Sequence, residues 1–261
     1  MPCQSLRMNS VHSTAPTTAS TASASAARWA GAASILQGLI LFVPMIVLGG
    51  AINWPESLSD PADIALPRLL ENEGAVRFGY IVYLVYSILF AVTMILLLRY
   101  AQSRAVIALG ALIAGFAAVS ALARSIGIVR WLVPAPELAE AYVATSNENE
   151  RVAISVVFDS MNAYGGTIGE VLGVSIFAAL SIGLLAIAVL RTRAFPRWIG
   201  AFGLIAALGV LATTVELAGE DASSLIFFGT TLVQLWFLAV GIWLLLRGSR
   251  QPRLAAGESV N

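Results

Sequence analysis

The sequence predicts an all-α membrane protein, a polytopic bundle of six transmembrane helices with both termini in the cytoplasm. Of its 261 residues, 58% are hydrophobic and only 11% are charged, which is far from the composition of soluble domains. Six apolar stretches of about 20 residues each have the length that an α-helix needs to cross about 30 Å of hydrocarbon. Nearly all charged residues lie between these stretches. The lipid bilayer is therefore the predicted environment of the chain.

The six predicted spans fill the chain from residue 29 to residue 247. In order, they are residues 29–52, 78–98, 105–124, 167–190, 198–217 and 224–246. Five of the six tryptophans fall at or just beyond a span end, where the amphipathic indole ring favours the headgroup region: Trp29, Trp54, Trp131, Trp198 and Trp243. Residues 1–28, which are rich in Ser, Thr and Ala, and residues 248–261 are predicted to be disordered cytoplasmic tails.

The charge pattern predicts the orientation. Basic residues near a span are retained in the cytoplasm, whereas acidic residues have little influence on orientation. Fourteen of the 15 acidic residues lie on the side opposite the termini. Ten of the 15 basic residues lie on the termini's side: Arg7, Arg28, Arg99, Arg104, Arg191, Arg193, Arg197, Arg247, Arg250 and Arg253. Because the chain uses arginine without lysine and is rich in alanine, as in GC-rich genomes, we predict a bacterial cytoplasmic membrane.

The rarest residue types exclude several kinds of site. Cys3 is the only cysteine and His12 is the only histidine, so the chain has no intramolecular disulfide, no histidine-ligated zinc or haem, and no Ser-His hydrolase site. The absence of lysine excludes Schiff-base chemistry. No cofactor and no metal site are predicted, although carboxylates alone could hold a metal. Nucleic-acid binding is not predicted either, because topology already explains the arginines.

Two of the predicted outer connections are long, residues 53–77 and 125–166. Polar residues recur on one helical face of the second: Arg151, Ser155, Asp159 and Asn162. This pattern predicts an amphipathic outer helix near 151–164, which either lies in the outer interface or extends the fourth span outward. Gly165 and Gly166 predict a break between this helix and the span. The acidic stretch before the helix is predicted to form an exposed lid.

Four charged residues are candidate ligand-binding groups: Arg124, Asp159, Glu170 and Glu216. A charge at the centre of a span costs about 2.5–3.5 kcal/mol, so charges at membrane depth need a reason. We predict that these four converge at the outer end of the bundle and pair across helices around a polar site. The alternative is that each one lies at headgroup level and any ion pair only docks helices.

Glycines at the start of the fourth span predict close helix packing. Gly165, Gly169 and Gly173 form two small-xxx-small steps, a pattern that lets another helix approach closely in lipid. A packing face within the molecule is favoured over a dimer contact. Glu170 lies beside this strip, so it is predicted to face protein.

A resemblance to a known family comes from residues 170–203. There, a span ends in a short arginine turn, and the next span opens with Phe195, Pro196, Arg197, Trp198, Ile199 and Gly200. This hairpin resembles a bacterial family of six-helix integral membrane proteins described only as a domain of unknown function. The resemblance implies the fold over residues 30–246 and implies no activity, so no catalytic residues are assigned.

Three kinds of function are compatible with this sequence. The leading hypothesis is a non-enzymatic membrane protein that binds a small molecule, a lipid or a protein partner at its outer end. A small transporter would need a polar path that reaches Gln37 or Gln234 in the middle of the membrane. A membrane enzyme would need two outer carboxylates within about 5 Å of each other beside a pocket.

Overall fold

A computed structural model of the protein describes residues 18–101, 104–192, 195–220 and 222–247, and these residues form helices and no β-strand. A π-helix, Thr167–Ala178, joins α7 to α8, and two short 3₁₀ segments lie at Glu56–Ser59 and Ala212–Ala218. The α-helices are α1 (Thr18–Ile40), α2 (Phe42–Ile52), α3 (Ala62–Glu71), α4 (Glu73–Ala101), α5 (Arg104–Leu132), α6 (Pro134–Ala144), α7 (Glu148–Gly166), α8 (Ala179–Leu190), α9 (Arg197–Leu211) and α10 (Ser223–Arg247).

Six helical segments of the described chain are long and apolar enough to cross a membrane. They are Ser25–Ile52, Glu73–Ala101, Ala108–Ala144, Glu148–Leu190, Arg197–Ala218 and Ser224–Leu246. Each contains or overlaps one predicted span, so the all-α fold with six membrane helices is confirmed. The protein is a multi-pass membrane protein.

The ends of the chain fall partly outside this description. Helix α1 begins at Thr18, so the last part of the predicted N-terminal tail is helical. Alanine, which is frequent there, has a high helix propensity and extends the first span towards the N-terminus. Residues 1–17 and 248–261 lie outside the described residues, and the disorder of the two tails stays a prediction.

The spans form a closed ring in chain order. The first span, α1 with α2, packs against α4, which packs against α5. Helix α5 contacts the π-helix and α8, α8 contacts α9, and α9 contacts α10. Contacts between α10 and α1 close the ring. Short connections follow the second, fourth and fifth spans, and they hold each of these three antiparallel pairs side by side.

Three helices outside the ring cover the end of the bundle opposite the termini, which we call the distal end. Helices α3, α6 and α7 contact one another there. They bury a second apolar core against the ends of α2, α4 and α5, which includes Leu48, Leu66, Tyr80, Trp131 and Phe158. This cap consists of the two long connections, so packed helices cover the distal end.

The junction of α7 with the fourth span differs from the prediction. The amphipathic helix near 151–164 is present as α7, and it extends the fourth span. However, Gly165 and Gly166 do not break it, because the helix continues as the π-helix. Backbone N–H and C=O groups at membrane depth have no water to bond. A change from α-helix to π-helix keeps them paired, so it costs less free energy than a break in the helix. π-Helical turns are rare, and they often occur at functional sites.

Candidate functional site

A small cavity lies at the distal end between α4, α5 and the π-helix. Its volume is about 30 Å³, room for roughly two water molecules or one small acid group. The connection after α2 adds Trp54 and Leu58 to its wall. The other lining residues are Tyr80, Tyr83, Arg124, Gly127, Ile128, Arg130, Trp131, Gly169 and Glu170. Two arginines and one glutamate thus share one cavity with four aromatic rings.

Arg124 is held by aromatic rings. Its side chain is 5% exposed, and its guanidinium carbon lies 4.5 Å from the ring centre of Tyr86 and 5.7 Å from that of Phe90. Such contacts contribute about 2 kcal/mol or more where water is excluded. Nε of Arg124 is buried without a hydrogen-bond partner, and no carboxylate in the described part of the chain lies within ion-pair distance of the guanidinium. The cation is therefore buried without a neutralising partner in contact.

Arg130 is held by hydrogen bonds. Its side chain is 8% exposed; Nη1 donates to the Gly127 carbonyl at 2.7 Å and Nε donates to Oδ1 of Asn162 at 3.1 Å. The guanidinium also lies 5.3 Å from the ring centre of Trp131. Hydrogen bonds to a charged group contribute about 1.5–3 kcal/mol each, so these contacts fix the direction of the side chain.

Asn162 connects three parts of the site. While its Oδ1 accepts from Arg130, its Nδ2 donates to the Leu58 carbonyl at 2.8 Å. One side chain on α7 therefore joins the arginine on α5 to the connection that supplies Trp54 and Leu58 to the cavity wall. Because both ends of the amide are used, Asn162 couples the cap to the charged wall.

Glycines allow the π-helix to lie against α5. A Cβ at Gly127 would lie 2.8 Å from the Gly169 Cα and 2.9 Å from the Gly165 carbonyl, so the two backbones are in direct contact. A Cβ at Gly173 would lie 2.6 Å from Cγ of Arg124, and Ser120 Oγ donates to the Gly173 carbonyl at 2.7 Å. The strip of Gly165, Gly169 and Gly173 is thus a packing face within the molecule, as predicted.

Glu170 is the one carboxylate in the cavity wall. Glu170 is less buried than Arg124 and Arg130, so we place it at the cavity rim. Within the described ranges, neither a guanidinium at ion-pair distance nor a hydrogen-bond donor contacts the carboxylate. Its backbone carbonyl accepts from Ser175 Oγ at 3.2 Å. The prediction that Glu170 faces protein agrees with this position.

A known protein family matches the part of the chain that contains the cavity. Residues 29–248 match a family described as "Domain of unknown function (DUF4386)". The chain belongs to this family. No match was found among curated proteins or among solved structures. The resemblance seen in residues 195–200 is thereby confirmed, and the DUF4386 match includes all six spans and every residue of the cavity wall.

The structure brings together two of the four candidate site residues of this DUF4386 protein. Arg124 and Glu170 line the same cavity. Asp159 is exposed on α7, and Glu216 is exposed in the 3₁₀ segment after α9; neither lines the cavity. Helical periodicity predicted Asp159 and Asn162 on one polar face of α7. In the structure, Asn162 shares the inward face with the buried Ile154 and Phe158, and Asp159 points to the other side. The expected ion pairs of Arg124 are also not formed.

Several residues of the site were not predicted. Arg130 carries the clearest signal that could have identified it, because it lies inside the apolar stretch that follows Arg124 on the same helix. Trp131 was predicted at the headgroups, yet it is 4% exposed and stacks on Tyr80, with ring centres 5.3 Å apart. The cap that buries this pair could not be read from the local sequence.

Proposed function

We propose that the protein is a non-enzymatic membrane protein that binds the acid group of a ligand, a carboxylate or a phosphate, in the distal cavity. The observation that carries the proposal is Arg124, a buried guanidinium in the cavity wall with no ion-pair partner among the described residues. A buried charge without a partner costs several kcal/mol, and an ionisable residue at membrane depth commonly marks a binding site.

The charge balance of the wall favours an anion. Two guanidinium groups and one carboxylate line the cavity, so its net charge is positive. Guanidinium groups bind carboxylates and phosphates with short charge-assisted hydrogen bonds. The unpartnered hydroxyl of Tyr80, which is buried in the same wall, supplies one more potential donor.

The residues of the cavity wall favour a binding protein over an enzyme or a transporter. A single carboxylate lines the cavity, whereas an acid-base or metal-dependent enzyme would need two. The described residues also include no group of three His, Cys, Asp or Glu side chains that could hold a metal. A transporter would need the cavity to reach Gln37 or Gln234, and neither residue lines it.

Replacing Arg124 with methionine is expected to weaken the binding of simple acids while the fold is kept. Methionine retains the side-chain stem that packs on Gly173, and it removes the charge. We expect the wild type in maltoside micelles to bind ethyl phosphate or propionate in isothermal titration calorimetry. Affinity should fall about tenfold or more in Arg124→Met, the effect of losing a charged hydrogen bond.

Arg77→Met is the matched control, because Arg77 lies on α4 in an exposed ion pair with Glu73 and outside the cavity. This variant should bind both acids as the wild type does. Equal loss of affinity in the two variants, or unchanged affinity in Arg124→Met, would reject the site.

We also propose that the distal end faces the outside of a bacterial cell and that both termini are cytoplasmic. The distribution of arginine supports this orientation. In a Cys3→Ala background, Glu148→Cys should react with a membrane-impermeant maleimide in intact cells, and Thr192→Cys should react only after lysis. Labelling of Thr192→Cys from outside would reverse the topology and move the cavity to the cytoplasmic side.

A further inference from the structure

Neither arginine of the cavity is positioned by a direct contact with Glu170. Arg124 is positioned by the Tyr86 and Phe90 rings, and Arg130 is positioned by the Gly127 carbonyl and Asn162. If Glu170 were only their counter-ion, one of the guanidinium groups would be expected to contact it, because opposite charges attract strongly where little water separates them. Neither does so in the described residues.

The carboxylate also opposes the binding of a simple anion. It lines the same cavity as the two arginines, so an acid group bound between them would lie near a like charge. A like charge placed against a ligand is a common way to exclude the wrong one. Glu170 therefore weakens the binding of acids that carry no positive group, and it favours any ligand that places a cation beside it.

We infer that the ligand of the distal cavity is a zwitterion, whose acid group lies between Arg124 and Arg130 and whose ammonium group pairs with Glu170 at the rim. This inference rests on the proposed function, since it needs the arginines to bind the acid group. Trp54 and Tyr83 line the cavity as well, with their rings edge to face at 5.9 Å. Aromatic rings attract ammonium groups, so they add to the site for the positive end.

Two sources can supply this chemistry, a lipid headgroup and a soluble zwitterion. The volume of about 30 Å³ admits one acid group, so the remainder of the ligand extends beyond the arginines. An ethanolamine phospholipid and a small amino acid or phosphoamine both carry an amine a few bonds from an acid. The experiment therefore has a soluble arm and a lipid arm.

The soluble arm compares ligands that differ only in the amine. Phosphoethanolamine is paired with ethyl phosphate, and β-alanine is paired with propionate. In maltoside micelles, the wild type should bind the amine-bearing member of at least one pair about tenfold more tightly by calorimetry. In Glu170→Gln that preference should disappear, and the affinity for the simple acid should stay equal or increase. Glu140→Gln, which changes an exposed carboxylate on α6 outside the cavity, should keep the wild-type preference.

The lipid arm uses thermal unfolding in the same micelles. Phosphatidylethanolamine should raise the melting temperature more than phosphatidylethanol, which lacks the amine, and Glu170→Gln should remove the difference. A preference in either arm supports the zwitterion, and the arm that responds identifies the source. Equal binding within every pair by the wild type would overturn the inference whether or not Glu170→Gln folds. Binding of none of these ligands would overturn the proposed function itself.

Discussion

Gly127→Ala is expected to destabilise the protein by about 1–3 kcal/mol, the usual cost of adding a methyl group to a closely packed contact. The new Cβ would meet the Gly169 Cα at 2.8 Å and the Gly165 carbonyl at 2.9 Å. Both are backbone atoms that cannot rotate away, so α5 and the π-helix would have to separate. Gly127 and Gly169 also line the cavity, and acid binding should weaken together with stability. Thermal unfolding in maltoside micelles and calorimetry measure the two effects.

Gly115→Ala is the matched control for this prediction. Gly115 lies on the same helix α5, and a Cβ there would meet no atom within 4 Å. Alanine in a helix interior is about 0.5–1 kcal/mol more favourable than glycine, so this variant should be as stable as the wild type or more stable. A similar loss of stability in Gly115→Ala would contradict the prediction, because the loss would then not depend on the contact of the two backbones.

Gln37→Met is expected to stabilise the protein by about 1–3 kcal/mol, the penalty for a buried polar group without a partner. Gln37 is 0% exposed in α1, and neither its Nε2 nor its Oε1 has a hydrogen-bond partner in the described chain. The neighbouring Gly38 packs against α10, where a Cβ would lie 3.1 Å from the Gln234 carbonyl, so the amide lies inside the bundle. Methionine has a similar length and shape, and it removes both polar atoms. A rise in melting temperature in maltoside micelles is the expected result.

Gln234→Met tests the same substitution at a glutamine whose amide nitrogen has a hydrogen-bond partner. Nε2 of Gln234 donates to the hydroxyl of Tyr86 at 2.6 Å, whereas its Oε1 is buried without a partner among the described residues. The substitution removes one unpaired acceptor, but it also loses a hydrogen bond and leaves a buried hydroxyl unpaired. This variant should therefore be less stable than Gln37→Met, which loses no hydrogen bond. A drop in melting temperature for Gln37→Met would mean that a polar guest satisfies the Gln37 amide, and it would support the transport hypothesis.

Much of the fold could be predicted from the sequence, because the spans depend on local hydrophobicity. The run of apolar residues between charged connections is the property that the bilayer selects, so six helices follow without any knowledge of packing. Gly165, Gly169 and Gly173 indicated close packing for a similar reason, since small residues at this spacing have one main use in lipid. The π-helix was not predictable. Its hydrogen bonds differ from those of an α-helix by one residue, and this difference produces no distinct spacing of apolar residues in the sequence.

The candidate site was only partly predictable. Arg124 and Glu170 were found as charges at membrane depth, but the same criterion also selected Asp159 and Glu216, which are exposed. Depth along a helix follows from counting residues, whereas the direction of a side chain depends on the neighbours of that helix. Asn162 illustrates the difference, because its partner Arg130 lies 32 residues earlier in the chain and its other partner, Leu58, lies 104 residues earlier.

The sequence by itself determined that the chain is a six-span membrane helical protein. The free-energy cost of placing a polar group in hydrocarbon depends on the residue type at each position, so the spans follow from the local sequence. The tertiary structure alone decided which charges share a cavity. That arrangement depends on the contact of Gly127 with Gly169 and on the cap that encloses Trp131 and Tyr80, and both bring together residues far apart in the chain. The sequence supplied the charged groups, and long-range packing selected Arg124, Arg130 and Glu170 from among them.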